Sequence, residues 1–428
     1  MAHLVFIDST LTGLNAFATA HRLGHQVTFI RPTQSASIYN ILSSNPAVPA
    51  HVDHYLEVAT LEAEDLMPVL DQLHEKHPID AVLSTSESGI LPAAQAAERL
   101  GTPYTALGSL KNAVFKHQMR EQLQQHGIPT PDFECLLEEQ LVNGPKHLSL
   151  PFVVKPVRGF AKQFSAICHT QADFDQYIQE LAADRRNTPG MDALVAREYI
   201  VEQYVEGSLH SAEVVVRDGR VMFYATTTRY RAHYDDLLEL AAVMPSDLSE
   251  SAQHAMKDYL QQVFYALGIS IGLYHVELLM TGQGPILVEI NARMMGSVSP
   301  VMYQMQTDQD AFEHLIRLHL GEPLTINDKG FHNAGITLAV AARQGGVVVE
   351  SFQPQSLYEL LNTYEISHHT LRIEAGKEVA RYKGNVSIMG HVILLADTPQ
   401  TVAEKGHRFL CDIERLIGLE TAKYFPTP

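Results

Sequence analysis

His275-Val276-Glu277-Leu278-Leu279-Met280, followed by Pro285-Ile286-Leu287-Val288-Glu289-Ile290-Asn291-Ala292-Arg293, decides how the chain is read. Each stretch has the composition of a strand, so Glu277 shares a face with His275, and Glu289, Asn291 and Arg293 alternate onto one face of the next strand. Across a hairpin, two carboxylates and an amide oxygen then converge. Hard oxygen donors of this kind suit Mg²⁺, which keeps several waters and completes its shell with substrate phosphates. Arg293 adds a planar fork for a phosphate oxygen. A random pair of strand glutamates more often faces solvent. Here the apolar residues 278–280 and 286–288 flank both acids and predict burial, and a buried acid needs a cation.

Upstream, Pro151-Phe152-Val153-Val154-Lys155-Pro156 is an apolar strand ending in a lysine, and Arg158-Gly159-Phe160-Ala161-Lys162-Gln163-Phe164-Ser165 follows as a loop. A lysine at a strand end beside such a loop places a point charge and backbone donors around phosphates. Taken alone, Lys162 reads as a solvated surface charge, and one glycine is far from a Walker loop. Val201-Glu202-Gln203-Tyr204-Val205-Glu206-Gly207, with Glu213 beyond it, is an extended edge whose backbone can pair with an adenine. By itself it is an ordinary amphipathic strand and turn.

Further out, residues 3–7 form an apolar strand, 14–23 have helical spacing and 26–30 a second strand, a βαβ opening. A short strand at 81–84, a loop at 85–89 and a helix at 90–100 closed by Gly101 repeat the pattern. Residues 1–112 therefore read as a small doubly wound parallel-sheet domain, with Ser9, Thr10 and Glu87 at the carboxyl ends of its strands, where ligands bind. From Ala113 a helix bearing Lys116 and Arg120 leads into strand-rich sequence, and turn residues cluster again at 327–330. Residues 113–327 and 328–428 are expected to be a central domain with a lid and a small α+β domain.

The ordered set Lys116, Lys155-Pro156, Glu202 to Gly207, Glu277 and Glu289 to Arg293 resembles the ATP-grasp superfamily. That resemblance covers the whole chain and implies an ATP-grasp fold, α/β and α+β in several domains. It implies ATP phosphates at Lys116 and Lys155, with Lys162 alongside, and adenine at Glu202, Gln203, Tyr204 and Val205. Glu213 is expected near the ribose or phosphates, Mg²⁺ at Glu277, Glu289 and Asn291 with Mn²⁺ able to substitute, and Arg293 on the transferred phosphoryl group. Within the superfamily the chain looks like the L-amino-acid ligases of the bacilysin-synthetase type, which join two amino acids into a dipeptide. Ser84-Thr85-Ser86-Glu87 and Arg293-Met294-Met295-Gly296-Ser297 carry that closer likeness. By analogy Glu87 lies at the substrate side of the cleft, and Gly296 and Ser297 line the acyl site. One departure stands out. Relatives often carry a Gly-His pair before a proline where residues 239–245 stand, and this chain has Ala241-Ala242. His233 is the nearest histidine, and a lone histidine in a polar loop is more often solvated.

The implied reaction is ATP-dependent formation of an amide through an acyl phosphate, with the loop at 158–165 and its subdomain closing as a lid. The alternatives are coupling of a non-amino-acid carboxylate in natural-product assembly, a carboxylase-like or purine-pathway relative, and a nucleotide-binding protein without turnover. This chain lacks the polyglycine loop that the carboxylase alternative would require, since residues 158–165 hold only Gly159. Formal charge of −18, from 31 basic and 49 acidic side chains, opposes a nucleic-acid partner. Cys135, Cys168 and Cys411 are too far apart in sequence for a disulfide framework or a CxxC site. With neither a signal-like start nor a spanning apolar run, the expectation is a cytoplasmic protein acting on amino acids away from membranes. A homodimer is a family-level expectation.

Overall fold

A computed structural model describes residues 1–34, 49–159, 162–187, 195–326, 329–384 and 387–426. Its first sheet is the doubly wound one. Strands β1 (His3–Ile7), β2 (Gln26–Pro32), β3 (His54–Val58) and β4 (Ala81–Leu83) pair in parallel in the order β3-β2-β1-β4. Both faces are covered, as a parallel sheet requires. Leu4 and Phe6 pack toward Phe17, and Val5 and Ile7 pack with Leu66 and Leu70 of the helix Ala63–Lys76. The chain leaves β1 to one side and returns on the other, so the crevice between the loops after β1 and β4 is the topological switch point. Glu87 lies on the second of these loops.

Four antiparallel strands make the second sheet, β5 (Phe133–Leu137), β6 (Phe152–Pro156), β7 (Ala166–Cys168) and β8 (Glu198–Gln203), in the order β5-β8-β6-β7. Phe152, Val154, Phe164, Phe174, Tyr199 and Val201 form its own core with the helix Gln171–Asn187. Of the expected lid loop, Phe160 and Ala161 lie outside the described residues.

The third sheet is the frame of the molecule. It comprises β9 (Ser208–Arg217), β10 (Arg220–Ala232), β11 (Asp235–Met244), β12 (Ile271–Thr281), β13 (Gly284–Asn291), β14 (Ala334–Val340), β16 (His368–His369) and β18 (Gly390–Ala396). Their order is β13-β12-β9-β10-β11-β14-β18-β16, antiparallel throughout, while β15 (Gly346–Val347) and β17 (Glu378–Val379) pair separately. Pairing of Ala241 with Leu338 through Met244 with Gly335 carries this sheet across the junction expected at 327/328, which itself lies outside the described residues. Period-2 alternation sorts the side chains. On one face, Val214, Val276 and Leu287 bury against the helix Glu250–Leu267, and Val243, Leu338 and Val392 against Pro399–Ile417. The opposite face packs at one end on the helices Ser299–Thr307 and Ala311–His319, and the rest of it lines a cleft. Among the described residues no helix is long and apolar enough to cross a membrane.

Two buried histidines tie stability to pH. Burial pushes His210 and His319 down to about 4 from 6.5, with His319 packed at 5.3 Å on Tyr104 and donating Nδ1–H to the Leu315 carbonyl. Both are then neutral when folded and take a proton on unfolding at any pH between those values. The unfolded state binds more protons there, so the contribution of these two histidines is full above pH 6.5 and falls toward pH 4, by roughly 1 kcal/mol per pH unit for each. Urea midpoints at pH 7 and pH 5 should differ accordingly, with a smaller difference in His319→Phe. Equal differences in the two proteins would contradict this assignment.

Candidate active site

Antiparallel partners share a face, and the register draws the site from strands distant in sequence. Asn291 faces His275 and then Glu213, while Glu289 faces Glu277 and then Ser211. Arg229 faces Ala242 and then Thr337, and Ala339 faces His391. Charged groups thus occupy the β13, β12, β9 and β10 part of the cleft, with Glu239 of β11 beside Arg229, and small or uncharged ones the β14 and β18 part. A cavity of about 190 Å³ runs over both halves, bounded also by Lys162, Met295, Gly296, Ser297 and Tyr382.

In the charged half every group is braced by its neighbours. Lys116 Nζ lies 3.0 Å from Glu289 Oε2. Asn291 Nδ2 donates to Glu289 Oε1 at 3.4 Å, and Arg293 donates to Asn291 Oδ1 at 3.4 Å and to Glu87 Oε2 at 3.1 Å, which brings the first domain to the site. His275 donates Nδ1–H to Glu213 Oε1 at 2.6 Å and Nε2–H to Glu277 Oε1 at 3.3 Å. Burial disfavours its charge, but the carboxylates prevail and raise it to about 9. Burial likewise opposes ionisation of Glu277 and Glu289, yet Lys162 and Arg229 hold the first, and Lys116 and Lys155 the second, down to about 2. Glu239 receives both Lys162 and Arg229.

These residues fit a magnesium ion. Glu277 Oε2 is buried without a hydrogen-bonding partner among the described residues, and its carboxyl stays ionised next to Glu289 and Asn291. Among the described residues no three His, Cys, Asp or Glu side chains converge as a ready-made cage. Two carboxylates and an amide leave most of the shell to water and phosphate, the arrangement Mg²⁺ favours.

Two expected nucleotide contacts sit differently. Glu202 is 4% exposed, and both of its oxygens are committed: Arg120 Nε at 2.8 Å on one, Lys155 Nζ at 2.8 Å on the other. Its charge neutralises a buried guanidinium, so the part of the hinge near the surface is Gln203, Tyr204 and Val205, not this carboxylate. Gln203 donates to the Pro151 carbonyl and Tyr204 to Asp236. Glu213 is 1% exposed and lies behind His275, orienting the ring that holds Glu277. His233 is exposed, bonded to the Lys423 carbonyl and away from the cleft. Gly296 and Ser297 do border the cavity. Arg229, Glu239 and His391 gave no local signal, since only the sheet register brings them in; Arg120 was visible on its helix without a visible partner.

Cations on both sides of a hinge thus face acids across an antiparallel sheet. Comparison with known proteins narrows the class. Models of an ATP-grasp domain and an ATP-grasp N-terminal domain match residues 148–300 and 17–104, together more than half of the chain. The chain belongs to the ATP-grasp superfamily. An uncharacterized protein of Sinorhizobium fredii, y4rH, is 24% identical over 71% of this chain and 63% of its own length. Dapdiamide A synthase of Enterobacter agglomerans is 23% identical over 70% of this chain and 69% of its own. The chain thus spans about two thirds of the length of each. The crystal structure of an L-amino acid ligase from Bacillus licheniformis superposes with a TM-score of 0.76 at 20% identity, covering 97% of this chain and 98% of that one. At that identity the likeness concerns the fold.

Proposed function

We propose that the chain is an ATP- and Mg²⁺-dependent ligase that joins the carboxylate of one L-amino acid to the amine of another through an acyl phosphate, releasing ADP and phosphate. The observation that carries this reading is the division of one sheet face into a charged half, suited to phosphoryl transfer, and an adjoining uncharged half, suited to an organic side chain. A carboxylate does not acylate an amine at neutral pH because its leaving group would be oxide; phosphorylation supplies a better one. Glu277, Glu289 and Asn291 would hold Mg²⁺, which when bound neutralises charge on the transferred phosphoryl oxygens. Lys116 and Lys155 add fixed positive charge on the nucleotide side, and Arg293, steadied by Glu87, does so on the acceptor side. Lys162, pinned to Glu239, ties the lid loop to β11 over the same cavity and would help exclude water.

The test is ADP release with Mg·ATP across the twenty L-amino acids, singly and in pairs, with mass spectrometry of each product. Release that depends on an amino acid, with a product mass of two amino acids less water, is expected. ADP release only with a non-amino-acid carboxylate would overturn the dipeptide assignment.

A further inference from the structure

The ligase reading, on which this inference rests, leaves one proton without a destination. An α-amine is largely protonated at pH 7. It must shed protons as nitrogen bonds to the acyl carbon, so a basic group is needed at the uncharged end of the cavity. The carboxylates that line the cavity are already engaged: Glu239 by Lys162 and Arg229, Glu277 by His275, and Glu289 by Lys116. His275 is itself clamped between Glu213 and Glu277.

His391 differs from all of these. It projects from β18 into the cavity beside Ala339, and no charged side chain pairs with it among the described residues. Its Nε2 lies 3.3 Å from Ser297 Oγ. Ser297 adopts φ +54, in the left-handed region that side chains rarely occupy, four residues beyond Arg293. Such an outlier marks a turn that the surrounding structure over-determines. Here it brings the serine hydroxyl to the imidazole. Burial pushes His391 down to about 4, which keeps the ring neutral and able to accept a proton near pH 7. A weak base suffices, because the nitrogen becomes strongly acidic once it bonds to the carbonyl carbon.

We propose that His391, oriented by Ser297, is the catalytic base that takes the proton from the attacking amine. The ammonium first gives one proton to solvent; the neutral nitrogen then attacks, the N–C bond forms, the C–O bond to phosphate breaks, phosphate departs with the electron pair, and the nitrogen's second proton passes to the imidazole and then to solvent.

Hydroxylamine separates this role from the steps before it, since it is already neutral at pH 7 and traps an acyl phosphate without a base. In His391→Asn, ligation of the amino-acid pair most active in the panel above should fall by roughly 10²–10³-fold, the scale of general-base catalysis. Hydroxamate formation from the same acyl donor should stay within about threefold of the parent by the same reasoning, since no base assists it. Ser297→Ala should show the same split with a smaller loss, and carries the comparison if the histidine variant melts early. Equal losses with both nucleophiles, or no loss with either, would overturn the proposal. Absence of hydroxamate in the unmodified protein with all twenty amino acids would overturn the ligase reading itself, and this base with it.

Discussion

Glu289→Gln is expected to lower ADP release by roughly 10²–10³-fold, the cost of removing one group that stabilises charge in a water-poor site. The substitution keeps the volume and one oxygen but removes a carboxylate that Lys116 and Lys155 hold ionised despite burial. Lys116 then loses its ion-pair partner, and the proposed cation site is left with Glu277 and Asn291. Apparent Mg²⁺ affinity should drop along with turnover, measured as the Mg²⁺ concentration for half-maximal ADP release. The unfolding midpoint should change little, because Glu289 borders the cavity and does not fill a core. A variant that retains more than a third of the parent rate would remove Glu289 from the metal site.

Arg120→Met should produce the largest loss of stability, roughly 3–5 kcal/mol, the cost of stripping one partner from a buried ion pair. Arg120 is 1% exposed and bonds Glu202, the Thr130 hydroxyl and the Leu287 and Val288 carbonyls. It therefore fastens the helix Lys116–Gln125 to both β8 and β13. Its removal leaves Glu202 with Lys155 alone and takes a donor from each of two carbonyls. Adding Glu202→Gln should recover part of the loss, since the two residues share one network and their effects should not add. Urea denaturation of the parent, both single variants and the double variant measures this coupling, and strict additivity would refute it.

The fold was legible where periodicity is strong. The βαβ opening, the hairpin at 275–293 and the helix ending at Gly101 all follow from local pattern and capping residues. The facing of Glu277 and Glu289 was likewise deducible, because two short apolar strands in a hairpin admit few registers. Arg229, Glu239 and His391 were hidden because their placement depends on which strands lie side by side, and β10, β11 and β18 belong to pairings that no local pattern fixes. The ion pairs of Glu202 were hidden for a related reason. A hinge glutamate invites a ligand contact, and only the packing of Arg120 from another element shows where its charge is spent.

The unbroken sheet from β13 to β16 bears on how such a protein could be recombined. Because the uncharged half of the cleft is contributed by β14 and β18, exchanging the residues after 328 with those of a relative would transplant the acceptor side of the pocket as a block. The graft would have to preserve the alignment of Ala241 with Leu338, since a slip of one residue would turn Thr337 and Ala339 away from the cleft. On the proposed reaction, shuffled enzymes built at this seam would inherit nucleotide handling from one parent and amine preference from the other, while a chain cut at the same place would bare the edge of β11 to self-association.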